Sequence, residues 1–373
     1  MRNVDAWLKV ATTSGASLQV RDRLLSLADG DPVRALQDDQ LTASTALRKW
    51  RKNACHNDIS AELRWLDGDN CHLLTRQCDE WPEILGHISD PPLLLFVRGR
   101  LCSLNRPAVA VVGSRKASPQ GRQRAHAFGR ALADAGISVV SGLANGIDAG
   151  SHRGALSLAA NNSDPFTVAV MATGPDVIYP SRHRKLASQI VDNGALVTEY
   201  RCGTAPRGYH FPHRNRIVSG LAQATLVVEA ALKSGSLITA RLAAEQGRDV
   251  FAMPGPPCSP VSRGCHELIR SGAGLVESPQ QFLEDLGVFC SPAETNRGEA
   301  IDLSSQNENL SHIDGGQIVL ACIGYEPTDL DMIVTGSGLT VDRVCSILSR
   351  LELDGFVRHE IGGRYCRSTG STS

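Results

Sequence analysis

The chain has 373 residues, enough for two or three domains and a sizeable core. Lysine plus arginine is 38 and aspartate plus glutamate 39, so no global field attracts a polyanion and any nucleic-acid site must be a local patch. No apolar run reaches the roughly 18 residues of a membrane span, and eleven scattered cysteines without a CxxC pair or a leader segment read as reduced, cytoplasmic thiols that hold no metal.

Residues 1–66 read as a small helical domain; in "NDISAELRWL" Ile59, Leu63 and Leu66 fall at helical spacing. "DPPLLLFVRG" (90–99) is a short apolar strand after a proline stop. From Pro107 the pattern becomes regular. "AVAVVG" (108–113) is a buried-strand run, and the helix after it is capped by Ser118, has Pro119 at its first position and ends at Gly136. "ISVVSG", "TVAVMATG", "ALVTE", "TLVVEA" and "DVFAMPG" repeat the strand, with helical stretches between them. Short continuous apolar strands alternating with amphipathic helices predict an α/β fold: a Rossmann-like, doubly wound parallel sheet over 67–288. Residues 289–311 have the polar, acidic composition of a linker. Beyond it, three helices and a hairpin turning at Gly362-Gly363 predict a C-terminal winged helix over 312–373. Its third helix carries Val341, Val344, Ile347, Leu348 and Leu351 on one face.

Open parallel sheets bind ligands at the carboxyl ends of their strands. The first such end is Gly113-Ser114-Arg115, with Lys116 next, where small residues let backbone N–H groups approach a phosphate. "SGSLITAR" (234–241) repeats the logic with Gly235, Ser236 and Thr239 at a helix start. It lacks the GxxxxGK[ST] spacing, and no GxGxxG follows the first strand, so neither ATP hydrolysis nor a nicotinamide cofactor is expected.

The main basic cluster is "RCGTAPRGYHFPHRNR" (201–216): four arginines, two histidines, Tyr209 and Phe211, with no acid. Arginines neutralise phosphates and aromatic faces stack on exposed bases, a pairing that suits a single strand better than a duplex. Asn215 has two readings, the cap of a following helix or a ligand contact. Arg216 also has two, a phosphate contact or an inward partner of Glu199 or Glu229. Asp148 and His152 lie four apart on one helix face. With no nucleophile or metal set beside them, they read as structural groups in the site wall.

These residues carry a resemblance. "SGLANGID" (141–148), "FPHRNRIVSGLA" (211–222), "VVEAALKSGSLITARLAAEQGRDVFAMPG" (227–255) and "LIRSGA" (268–273) resemble the DNA-processing protein A family (DprA, also called Smf). The match runs over roughly 90–290, with long motifs in the expected order, and the flanks fit more weakly. The resemblance implies a non-enzymatic protein that binds single-stranded DNA during natural transformation. It also implies a homodimer that loads RecA recombinase on DNA covered by single-strand binding protein, with no cofactor. By matching position it assigns Gly113, Ser114 and Arg115, then Phe211, Arg214, Asn215 and Arg216, to the DNA pocket, with Gly235, Ser236 and Thr239 lining the same site. The competing readings are a nucleotide-processing enzyme of related fold with Glu199 or Glu229 as its acid, and a transcription regulator acting through the winged helix. The first lacks the expected "PGGxGT" loop. The second has five arginines against four acids in 340–367, a poor duplex footprint.

Overall fold

The computed structural model describes residues 3–41, 45–158, 167–287, 315–323, 328–360 and 363–367. Two compact units divide the chain, residues 1–290 and 291–373. The linker expected over 289–311 lies outside the described residues, as does Gly362 of the expected hairpin turn.

Five helices open the first unit: α1 (Asn3–Thr12), α2 (Leu18–Leu27), α3 (Pro32–Gln37), α4 (Thr45–Cys55) and α5 (Ser60–Leu66). They enclose a core of their own around Trp7, Leu24 and Trp50. Leu8 and Ile59 instead pack on Leu94 and Phe96, which belong to the sheet. The buried Glu62 holds Arg201 at 3.0 Å, a second tie between helices and sheet.

The sheet strands are β1 (Cys71–Thr75), β2 (Leu94–Gly99), β3 (Ala108–Val112), β4 (Ser138–Ser141), β5 (Thr167–Val170), β6 (Ala195–Thr198), β7 (Ala224–Val227), β8 (Asp249–Ala252) and β9 (Gly274–Leu275). Their order is β1-β2-β6-β5-β4-β3-β7-β8-β9. From β6 to β9 the pairing is parallel. β1 and β2 are antiparallel additions at one edge, so the sheet is mostly and not wholly parallel.

The continuous apolar strands follow from burial on both faces. In β3, Ala108, Ala110 and Val112 face one core, and Val109 and Val111 face the other. Helices α7 (Pro119–Asp134) and α8 (Ile147–Leu156) cover the second face through Phe128, Leu132 and Ile147. Helices α6 (Glu83–Gly86), α10 (His210–Gly220) and α11 (Gly235–Glu245) cover the first through Leu85, Ile217, Val218 and Ala240. Burying a side chain such as Phe128 stabilises by about 1.5–3 kcal/mol relative to exposure. Ser118 caps α7 by accepting from Gly121 N–H at 2.9 Å, and Pro119 takes the first position, where its missing N–H has no role.

The chain builds β3 to β6 outward on one side, then crosses to β7 on the other side of β3. The carboxyl ends of β3 and β7 therefore flank the point where strand order reverses. There a crevice forms, because the connections leaving the two strands diverge.

The second unit holds helices Gly316–Ala321, Leu330–Ser337 and Val341–Leu353, and strands Val357–Glu360 and Arg364–Arg367 paired as a hairpin. A short strand, Thr328–Asp329, adds to that hairpin. Val344, Ile347, Leu348 and Leu351 are buried as the helical spacing requires. Val341 is 52% exposed, because it begins the helix and extends past the core.

Candidate nucleic-acid interface

A cavity of about 660 Å³ opens at the carboxyl ends of β3 and β7. Gly113, Ser114, Arg115 and Lys116 form one wall, directly after β3. The first turn of α11 forms another through Gly235, Ser236 and Thr239. Phe211, Arg214 and Asn215 of α10 complete it. Of the eleven candidate residues, only Arg216 lies away from the cavity.

The β3 loop is held from below by Glu229, two residues beyond the end of β7. Its carbonyl accepts from Ser114 N–H at 2.7 Å, and its carboxylate accepts from Ser118 N–H at 2.9 Å and the Ser118 hydroxyl at 2.5 Å. The carboxylate thus completes the N-terminus of α7 and fixes the turn carrying Arg115 and Lys116. Both of those side chains are exposed at the rim. The Arg115 guanidinium carbon stands 4.8 Å from the centroid of the half-buried Phe211 ring, a cation–π pair that holds it over the cavity mouth.

Opposite, the Ser234 hydroxyl caps α11 by accepting from Ser236 N–H at 3.3 Å. The helix's free N–H groups and its positive dipole end thereby face the cavity, an arrangement that favours an anion. Lys233, exposed beside it, was not singled out by the sequence reading. Its place immediately before the "SGS" turn was the available signal.

The basic cluster divides in two: 201–209 is loop and turn, and 210–216 opens helix α10. Pro212 lies within the first turn of α10, where its missing N–H breaks no helical bond. Asn215 is therefore inside α10 and not a cap. Its amide donates to the carbonyl of Gly235 at 3.3 Å, joining α10 to the α11 turn. Tyr209 precedes the helix and is 64% exposed.

The two arginines two positions apart take opposite sides of the helix, and both are buried. Arg214 forms the cavity floor. Its guanidinium donates to the carbonyl of Gly142 at 2.9 Å, and also to that of Val170. Burial pushes its pKa down to about 10, with nearby Asp148 opposing and Arg115 adding to the fall. A Cβ at Gly142 would come within 2.5 Å of Arg214 Nη2, so a side chain there would displace the guanidinium from its carbonyls. Arg216 turns inward, with Nη2 2.6 Å from Glu199 and Nε 3.1 Å from Asp90. Burial would lower its pKa, but Glu199 and Asp90 carry it above its ordinary value. The phosphate-contact reading of Arg216 is thus corrected: its charge is used inside the fold, and it was the inward alternative that the structure adopts. His213 adds to the same network, with Nδ1 3.2 Å from Glu199 Oε1.

Asp148 is the carboxylate in the cavity lining, and it is occupied. It accepts from Gly142 N–H at 3.1 Å and Ala144 N–H at 3.2 Å, and burial raises its pKa. His152 is fully buried, with Nδ1 2.7 Å from the Thr167 hydroxyl. Burial, with help from His183 and Arg214, pushes its pKa from 6.5 down to about 3, so the ring is neutral in the folded protein. An unfolded chain takes up that proton near pH 6.5. The folded pKa lies below the unfolded one, so the stability present above about 6.5 is lost as pH falls toward 3. The loss proceeds at up to about 1.4 kcal/mol per pH unit. Melts of His152→Gln should accordingly show a shallower decline on acidification than the wild type. Parallel profiles would remove His152 as the cause.

Among the described residues no cluster of histidine, cysteine or carboxylate side chains has the grouping to hold a metal, and no helix is long and apolar enough to cross a membrane.

The family model for DNA recombination-mediator protein A matches residues 72–287, and the DprA winged helix domain matches residues 311–363. Protein Smf of Escherichia coli is 40% identical over 308 residues, covering 82% of this chain and 80% of that protein. DNA processing protein DprA of Streptococcus pneumoniae is 40% identical over 244 residues, 62% of this chain and 84% of that one. The crystal structure of DprA from Streptococcus pneumoniae superposes with a TM-score of 0.67 at 33% identity, over 76% of this chain and 99% of that one. DNA processing protein A from Helicobacter pylori, a structure described for its single-stranded DNA binding mode, superposes with a TM-score of 0.51 at 30% identity, over 58% of this chain and 95% of that one. The chain belongs to the DprA/Smf family of DNA recombination-mediator proteins.

Proposed function

We propose that this chain is a DNA-processing recombination mediator that binds single-stranded DNA at the switch-point cavity. The observation that carries the reading is the composition of the cavity mouth. Exposed Arg115, Lys116 and Lys233 stand around Phe211, above the N-terminus of α11. Cations and helix N–H groups neutralise phosphates, while a ring offers a stacking face to an unpaired base. The contacts carry little base information, so binding tolerates most sequences and prefers single strands.

The reading extends to partners. The strand is passed to RecA, on DNA that single-strand binding protein has covered, by a homodimer acting in the cytoplasm during natural transformation. The family's description as a DNA recombination mediator supports the mediator role; RecA, single-strand binding protein, the homodimer and natural transformation are what the resemblance to the family implies. The protein acts by binding and not as an enzyme. That view is supported by the two acids a nucleotide-cleaving relative would need: Glu199 is paired with Arg216, and Glu229 is bonded to Ser118.

Arg115 gives the test, because its exposure lets the side chain be removed with little effect on folding. An arginine that neutralises a phosphate releases a counterion and contributes about 0.7 to the single-strand salt slope. Arg115→Ala is expected to weaken binding at low salt and to flatten log K against log salt by about 0.7. An unchanged slope in folded protein would place the DNA elsewhere.

A further inference from the structure

Beyond the cavity rim on the Phe211 side stands Tyr179, in the loop between β5 and α9 (Arg184–Asn193). It is 45% exposed, and its hydroxyl makes no hydrogen bond among the described residues. Its ring centroid lies 5.6 Å from that of Phe211, with the planes tilted by 53°. That spacing is an aromatic pair in contact. It leaves no room for a base between the rings, so any stacking on Tyr179 uses its solvent-facing side.

The chain that follows is basic. Arg182, Arg184 and Lys185 are all exposed, and no acid occurs between Asp176 and Asp192. None of the three makes an ion pair among the described residues. They also crowd the start of α9, the end of a helix where a cation is disfavoured by the dipole. Their charge is therefore unhelpful to the local fold and is not offset by a partner within it. His183, between them, faces the other way: it is buried, with Nδ1 2.9 Å from the Leu143 carbonyl. This bond ties the segment to the loop after β4, the same loop that supplies Gly142 and Ala144 to the cavity wall.

We propose that the single strand continues out of the cavity past Phe211 and across Tyr179, with Arg182, Arg184 and Lys185 holding its phosphates. Resting on the single-strand reading above, this assigns a second stretch of nucleotide contacts outside the cavity. An exposed aromatic face beside unpaired cations is the combination that single-strand binding uses, and it is tolerant of base identity.

A length series on the full chain tests it. Affinity is measured by anisotropy for oligothymidylates of about six and about eighteen nucleotides. The variants are Tyr179→Leu, Tyr179→Phe and the triple Arg182→Gln/Arg184→Gln/Lys185→Gln, each checked by thermal melting. For the long strand, Tyr179→Leu should lose at least about fivefold while Tyr179→Phe binds normally. The triple variant should lower the long-strand salt slope by about 2. On the short strand, which can seat on Arg115, Lys116, Lys233 and Phe211 without crossing Tyr179, all variants should stay within about twofold. Equal losses on both lengths would show that Tyr179 acts only by positioning Phe211, and would overturn the path. Normal long-strand binding by Tyr179→Leu and the triple variant would also overturn it, and would leave the cations to some other acidic partner. A wild type that binds neither strand refutes the single-strand reading itself, an outcome distinct from failure of the variants alone.

Discussion

Arg214→Ala is expected to destabilise the first unit by about 3 kcal/mol, the largest single effect at the site. Arg214 is 4% exposed, and its guanidinium donates to the carbonyls of Gly142 and Val170, at the ends of β4 and β5. Truncation leaves both carbonyls without that donor and removes the cation nearest Asp148, whose carboxyl burial already raises. Because Arg214 lines an open cavity, water can enter the vacated space, which keeps the cost at the lower end of the range for broken buried charges. DNA affinity should fall with stability, since the loop of Gly142 and Ala144 is part of the cavity wall. Arg214→Lys should recover only part of the loss, because an ammonium lacks the fork that reaches two carbonyls. Denaturant titration decides the matter. Wild-type stability combined with a salt slope reduced by about 0.7 would instead make Arg214 a solvent-facing phosphate contact.

That expectation differs from the one the sequence suggests, and the difference shows where sequence reading stops. The strands were legible because β3, β7 and their neighbours are buried on both faces and so are apolar without interruption. The grouping of Gly113–Lys116 with Gly235, Ser236 and Thr239 was legible too, since strand ends of a doubly wound sheet converge at the switch point. The direction of each arginine was not. In "FPHRNR" the sequence leaves Arg216 either a phosphate contact or an inward partner, and it is the helix, which turns residues two apart by about 200°, that decides between them. Arg214 consequently meets the strand-end carbonyls, and Arg216 meets Asp90, 126 residues away in sequence. Proline at the third residue of α10 hid the helix, because the same residue reads as a breaker anywhere but the first turn. Glu229 was legible as a strand end but not as the group that fixes the Arg115 turn, a role set by its distance to Ser118. The antiparallel edge strand β1 was missed because "CHLLT" is short and lacks alternation.

The second large effect falls on binding alone. Phe211→Ala is expected to cost about 1–3 kcal/mol of single-strand affinity, roughly five- to 150-fold. The ring is half-buried at the cavity mouth, so its loss should move the melting temperature little. Two contributions are bundled in the change. The base loses a stacking surface, and Arg115 loses the ring that holds its guanidinium at 4.8 Å. Salt separates them from a lost charge: Phe211→Ala removes no cation, so the slope of log K against log salt should stay near the wild-type value. Arg115→Ala, by contrast, flattens it. Phe211→Leu keeps apolar bulk without a π face, and Phe211→Trp enlarges the face. Stacking predicts affinity in the order tryptophan at least equal to phenylalanine, then leucine near alanine. If leucine restores full affinity, the side chain supplies only apolar contact, and the assignment of a base to the Phe211 ring is wrong.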